Sequence, residues 1–462
     1  MQRLVLPASV ALVSAMLCAC PPENPTPPDG DGGVVGDDGG PGPDEGLFTV
    51  ETRVLNDVAP LTGRGLAVAV RSDATWAVAY VAPGVGQFMC DLFGGGQTEG
   101  GDNVEIRVTE PDGDGVRTRT VEMVPGAAAQ ALDLAVAPDD TLVLAYGGGD
   151  TANGYCGSSD LVVARESGAG FTTQVVATDS ATASTCRLDA AGEDPYCQIG
   201  DTVGLYPGVA VDDDGTVAVS YQDFHNGFAD KDIFGTDLEL ARGNGTFTLA
   251  SVSTEAGAGY HSAIAFGANG RVIIGHQVIA NNVFVDGQGQ QYSVPKGLYV
   301  AVEQADGTFL DQPLVEDTLT DDRVAVGYHP SFGWGAAYHD ADQDDLHFWW
   351  SDDDGATWTF EAVDQLGLVG SSPALGFLSD GTPVIAYGYC GRPTDDACNR
   401  TVDGVRVALR KDSGWVHEQL PGNDEQLEGA EIDMAVAADD TLVVVSHNTS
   451  RNRAVIHTLT VK

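Results

Sequence analysis

Positive charge is what this chain has least of: 22 Lys and Arg stand against 68 Asp and Glu in 462 residues, a formal net charge of -46. Such a surface repels phosphate backbones and anionic lipid, so nucleic acid is excluded as a partner. The plain reading of the acidity is a solvated surface; the sharper one is a divalent cation or a basic partner. There is no C-x-x-C pair, so a zinc site is not expected. G-x-S-x-G, H-E-x-x-H and Walker sequences are also absent, and no chemistry is proposed by motif alone. Aromatic residues are few, at 7%. With 43% hydrophobic residues and 59 Gly, the composition is that of a turn-rich globular β protein able to bury a core.

What is present is a repeat. Leu132 to Tyr146, LDLAVAPDDTLVLAY, is an apolar run, a tight acidic turn and a second apolar run ending on an aromatic residue. Related hairpins begin at Leu66, Pro207, Ser262, Val324, Pro373 and Ile432. An Ala or Gly recurs near the end of the first run (Ala69, Ala135, Ala210, Ala265, Gly327, Gly376, Ala435). Ten residues after the next apolar position comes Tyr80, Tyr146, Tyr221, Tyr338 or Tyr387, with His276 and Ser446 in the other two copies. The turns between carry Asp, Asn, Gly and Pro, which suit hairpins. A third run and usually a fourth follow each hairpin, giving units of four short strands, the pattern of a β-propeller blade. Seven units predict an all-β, seven-bladed propeller over residues 47–462. The last unit has only three strands (Ile432 to Val436, Leu442 to Val445, Ala454 to Val461), and Phe48 to Leu55 is available to complete it. Pairing those segments would close the ring and remove its open edges.

The N-terminus is an address. Arg3 precedes an apolar segment from Leu4 to Leu17, followed by Leu17-Cys18-Ala19-Cys20. This is too short for a spanning helix and reads as a signal peptide over residues 1–20. Its ending resembles the lipobox of bacterial lipoproteins, which implies cleavage before Cys20 and a lipid on that residue. Pro21 directly after it is consistent, under that resemblance, with the outer membrane, facing either the periplasm or the surface. Residues 21–46 are almost wholly Pro, Gly, Asp and Glu, and are expected to form a disordered tether spanning about 25–30 Å.

In the fifth unit the second turn reads Ser351-Asp352-Asp353-Asp354-Gly355-Ala356-Thr357-Trp358. The spacing of Ser351, Asp353, Gly355 and Trp358 resembles the Asp-box (BNR) repeat of sialidase-like propellers. The resemblance implies a structural role, Asp353 capping its own turn and Trp358 packing between strands. It does not extend to activity, because sialidase-like enzymes need an arginine cluster and an acid-activated Tyr. Only Arg64 and Arg323 precede first strands near the expected channel mouth.

Cys90, Cys156, Cys186, Cys197, Cys390 and Cys398 remain after processing, an even number in an exported chain, so disulfides are expected. Six cysteines allow several connectivities; spacing favours Cys186–Cys197 and Cys390–Cys398, with Cys90–Cys156 as the remainder. Ligands of propellers usually sit at one face over the channel, and the loops after the second strands should occupy that face. The candidate ligand-face residues are therefore Tyr80, Tyr146, Tyr221, His225, His276, Tyr338, His339, Asp340, Tyr387, Tyr389 and His447. An alternative is that each Tyr merely caps its sheet, its ring packed between blades. No catalytic residue and no cofactor is assigned, and His339 with Asp340 and Asp342 is the place where calcium could bind. The leading expectation is a monomeric, lipid-anchored envelope module that binds a glycan or protein ligand. A glycan-processing hydrolase and a calcium-dependent adhesin are the alternatives.

Overall fold

The repeated hairpins form because their turns satisfy themselves. In Asp73-Ala74-Thr75, Asp139-Asp140-Thr141, Asp214-Gly215-Thr216, Asp380-Gly381-Thr382 and Asp439-Asp440-Thr441, the first Asp accepts a hydrogen bond from the Thr backbone N–H at 2.8–3.2 Å. The middle residue is left-handed, with φ from 63° at Asp140 to 90° at Gly381, which closes a tight antiparallel connection. Bonds from the Thr hydroxyl and N–H hold all five Asp carboxyls below their ordinary range. Part of the chain's acidity is thus turn chemistry. The same turns tie neighbouring blades together. The backbone N–H and hydroxyl of Ser72 donate to Asp140, and those of Ser379 donate to Asp440.

A computed structural model describes residues 46–462, apart from 62–64, 93–96, 127–128, 130, 149–158, 179–201, 224–235, 255–256, 280–281, 286–290, 321, 391–403, 423–429 and 450. Residues 47–462 form one compact unit. The signal peptide and tether expected from the sequence lie outside the described residues.

Residues 47–462 form seven four-stranded antiparallel sheets. The innermost strands are Leu66–Val70, Leu132–Val136, Val203–Val211, Tyr260–Phe266, Ala325–His329, Leu368–Phe377 and Ala430–Val436. In blades 1 to 6 the next three strands of the blade follow outward in chain order. Blade 7 is composite: its outermost strand is Phe48–Leu55, paired with Arg453–Val461 from Phe48↔Val461 to Leu55↔Ala454. The two ends of the ring meet there, the Lys462 N–H donating to the Leu47 carbonyl at 3.0 Å. The expected closure is observed, with Phe48–Leu55 at its expected bounds, while the other three strands run longer than expected, as Ala430–Val436, Thr441–Asn448 and Arg453–Val461.

Blades pack face to face, and each of the seven seams holds its own apolar cluster. Trp334 and the second-strand tyrosines are the largest fully buried side chains in these seams. Tyr80 packs in the seam between blades 7 and 1, Tyr146 between 1 and 2, Tyr221 between 2 and 3, Tyr338 between 4 and 5, and Tyr387 between 5 and 6. In the turn from Ser351 to Trp358, the Ser351 hydroxyl donates to Asp353 at 2.8 Å and accepts from the Gly355 N–H at 3.0 Å. Asp353 also accepts from the Thr357 N–H at 2.8 Å, while Trp358 packs against the seam between blades 4 and 5.

Two hairpins extend the face on which the innermost strands begin. The second and third strands of blade 1, Trp76–Leu92 and Gln97–Asp112, run on together well past Tyr80. In blade 4 a short pair, Asn282–Val285 and Gln291–Val294, lies between the second and third strands.

Candidate functional site: the channel mouth

The starts of the innermost strands converge on the central channel. In blades 3, 4, 6 and 7 the pairing of first and second strands slips just there, between Leu205 and Gly208, Tyr260 and Ala263, Ser371 and Ala374, and Ala430 and Asp433. Each slip holds one non-glycine residue left-handed: Tyr206 (φ 45°), His261 (50°), Ser372 (48°) and Glu431 (51°). Such conformations cost about 1–3 kcal/mol each and gather at functional sites, and bulges re-aim side chains. These four residues, with Gly65, Ala131, Asp322 and Arg323, line a cavity of about 150 Å³ at the mouth. A second cavity of about 130 Å³ lies along the channel, walled by Val68, Leu134, Ile264, Leu375 and Met434, with Asp133 and Asp433 as its charges. Arg323 lines both.

The charges are arranged around Arg323. Its guanidinium stands 3.6 Å from Asp133. Burial works against its charge, and the carboxylates of Asp133, Asp433 and Asp322 outweigh burial. Asp133 also accepts from the Val209 N–H at 2.8 Å, and Asp433 from the Val68 N–H at 2.7 Å, so each Asp fastens its strand to the next blade. Burial nevertheless raises both carboxyls, that of Asp433 to about 6, against the pull of Arg323. At Asp322 burial is overcome: His339 Nδ1 at 3.3 Å and the donating Ser372 hydroxyl at 3.1 Å keep its carboxyl low.

A second layer positions these groups. Gln277 donates to the carbonyls of Thr320 and Asp322 at 2.9 and 2.8 Å and accepts from the Thr320 N–H at 3.0 Å, fixing the segment that carries Asp322 and Arg323. Ser262 donates to the Tyr206 carbonyl at 2.9 Å. Above it the rings of Tyr206 and His261 stack at 4.2 Å, with Tyr260 edge-on to both at 4.9 and 4.1 Å. Burial lowers His261 to about 4, so its imidazole is neutral at physiological pH. His447 Nδ1 lies 3.7 Å from Glu431 and its Nε2 contacts Asn452 at 3.0 Å.

The residues selected from the sequence fall elsewhere. Tyr80, Tyr146, Tyr221, Tyr338, Tyr387, His276 and His447 are no more than 2% exposed and line neither cavity. Tyr146 donates to Glu122, and Tyr387 donates to Asp364, beside Arg406. Tyr387 and Asp364 form the acid–tyrosine pair that a tyrosine nucleophile would need. Burial raises that phenol well above its ordinary value, and nothing exposes it to a substrate. Tyr389 lies under the Arg406 guanidinium at 3.4 Å. Asp340 caps its own turn, accepting from the N–H groups of Asp342 and Gln343. His339 reaches the mouth through Asp322, and His447 through Glu431. His225 lies outside the described residues, as do Cys156, Cys186, Cys197 and Cys398; Cys390 is disulfide-bonded. Among the described residues no group of three or more His, Cys, Asp or Glu is placed to hold a metal ion.

Fold and site together define a seven-bladed propeller with a small polar–aromatic cavity at one end of its channel. No protein-family model matches the sequence, and no curated protein matches it. Solved structures of similar fold include a sialidase from Trypanosoma rangeli in complex with the inhibitor DANA, at 13% identity and TM-score 0.38 over 75% of this chain. This chain spans 56% of that sialidase's length. An α-L-arabinanase from Penicillium chrysogenum complexed with arabinobiose has 13% identity and TM-score 0.43, covering 89% of this chain and 98% of its own. A virginiamycin B lyase from Staphylococcus aureus has 8% identity and TM-score 0.48, covering 89% and 100%. These are likenesses of fold, and the fold assignment rests on the seven sheets themselves.

Proposed function

We propose that this protein is an envelope-anchored binding module that seats the end of a glycan in the channel mouth. The carrying observation is the convergence there of residues from all seven blades, four of them held left-handed. Together they present a donor (Arg323), acceptors (Asp322, Glu431, Ser372) and an aromatic surface (Tyr206, His261). Sugar hydroxyls both donate and accept, and their C–H faces pack on rings, so a mixed set of this kind suits them. The excess of carboxylates disfavours sialic and uronic acids. No nucleophile is poised: the Ser372 hydroxyl is bound to a carboxylate rather than to an imidazole.

A glycan array probed with the full chain should retain neutral glycans in preference to acidic ones. Tyr206→Ala should weaken retention about 10-fold to 100-fold, the usual worth of one well-packed aromatic contact. Retention of sialylated glycans alone, or indifference to Tyr206→Ala, would count against this site.

The anchor is supported by the lipobox at Leu17 to Cys20. Cys20→Ala is expected to move the protein from the membrane fraction to the soluble one. Unchanged fractionation would sink the anchor and leave the binding site untouched.

A further inference from the structure

The charged groups lining the mouth have partners within the protein. Arg323 is held by Asp133 at 3.6 Å, Asp322 accepts from Ser372 at 3.1 Å and stands 3.3 Å from His339 Nδ1, and Glu431 lies 3.7 Å from His447 Nδ1. The imidazole of His261 differs. It lines the same cavity, yet neither of its nitrogens has a hydrogen-bond partner among the described residues. The ring is nevertheless fixed in place. Tyr206 covers one face at 4.2 Å and 22° from parallel, Tyr260 stands across it at 4.1 Å, and the backbone beneath is left-handed at φ 50°. The next residue, Ser262, donates to the Tyr206 carbonyl at 2.9 Å, so the two stacked rings share one anchor. With Tyr206 on its face, the ring offers the cavity its edge, where the nitrogens lie. An ordered polar group left unpaired by the protein is normally satisfied by whatever occupies the space beside it.

We infer that His261 is the specificity-determining residue of the mouth, its imidazole edge hydrogen-bonding one hydroxyl of an uncharged sugar. The inference rests on the glycan reading above and deepens it, because a particular hydroxyl is recognised in addition to the ring's apolar face. The neutral imidazole has one N–H and one bare nitrogen. A carboxylate can only accept and an ammonium can only donate, whereas a hydroxyl does both and suits either nitrogen in either tautomer.

The test uses methyl β-glucoside, methyl β-galactoside and methyl α-mannoside, titrated by NMR into the full chain. The tightest of the three is then compared with its four monodeoxy analogues. One analogue is expected to bind about 10-fold more weakly than its parent, the usual effect of losing one such hydrogen bond. In His261→Phe, which keeps a ring for Tyr206 to stack on, that ratio should fall to about 1 while the analogue binds as before. A residue that merely shaped the mouth would weaken parent and analogue alike and leave the ratio intact. His261→Gly should also bring the ratio to about 1, so the outcome does not depend on how well Phe tolerates left-handed backbone. A ratio that survives in both variants, or no analogue weaker than its parent, would overturn the inference and leave the glycan reading standing. No binding by any of the three glycosides would overturn both.

Discussion

A chain lacking residues 47–57 is expected to aggregate, or to melt far below the intact protein, whereas one lacking residues 21–46 should melt with it. The first deletion strips the outer strand from blade 7 and exposes the whole edge of Arg453–Val461. It also removes Phe48 and Leu55, each only 2% exposed. Loss of those two side chains alone should cost about 5–10 kcal/mol, comparable with the entire stability of a typical domain. The second deletion removes a segment whose Pro, Gly, Asp and Glu composition is expected to bury little. Thermal melts with light scattering on both variants decide the matter. Mild and equal effects would mean that the ring does not depend on its N-terminal strand.

The second large effect is expected at Arg323. Arg323→Met leaves Asp133 and Asp433 in the channel without their shared cation, and breaking a buried ionic set in this way costs about 3–5 kcal/mol at neutral pH. The loss should depend on pH. Burial has already raised the Asp433 carboxyl from 3.8 to about 6. Its contribution therefore favours the folded state fully below 3.8 and is gone above about 6. Without the attraction of Arg323 that window moves upward, so the variant should be little impaired at about pH 5 and fully impaired at about pH 8. The quantity to compare is variant minus parent. His457, pushed to about 4 by burial alone, stabilises both proteins above 6.5 and loses that effect alike as pH falls, whereas His261, held low by burial and by Arg323, loses less in the variant. Adding Asp133→Asn and Asp433→Asn should restore most of the stability, because a neutral polar set replaces an ionic one. Urea melts showing the same loss at both pH values would mean that Arg323 acts through packing alone.

The architecture was legible in the sequence because a propeller repeats its physics. Asp-Xaa-Thr turns in five hairpins, small residues near the ends of first strands and a Tyr in five of the second strands recur at one spacing. Even the closing strand, Phe48 to Leu55, was marked by the deficit in the last unit. The site was far less legible. Strand side chains stand perpendicular to their own sheet, and blades stack face to face. A second-strand residue such as Tyr387 therefore faces a neighbouring blade however near the strand's end it lies. Only the first strand and the loops reach the channel. Arg323 was visible as a residue preceding a first strand. Tyr206, His261, Ser372 and Glu431 occupy the same place before Pro207, Ser262, Pro373 and Ile432. Nothing in their side chains announces left-handed backbone, which non-glycine residues seldom adopt. The conformation is imposed by pairing across the sheet, so a position varying from Gly to Tyr concealed a shared geometry.

The meeting of Leu47 and Lys462 on the outermost edge of blade 7 gives the polypeptide the topology of a circle cut once. The position of such a cut is arbitrary with respect to the ring. Joining those ends and reopening the chain within a turn such as Asp214-Gly215-Thr216 would make blade 3 the composite one and blade 7 continuous, with every seam unchanged. Chain order and blade order are separable here, and the ring itself has no first blade.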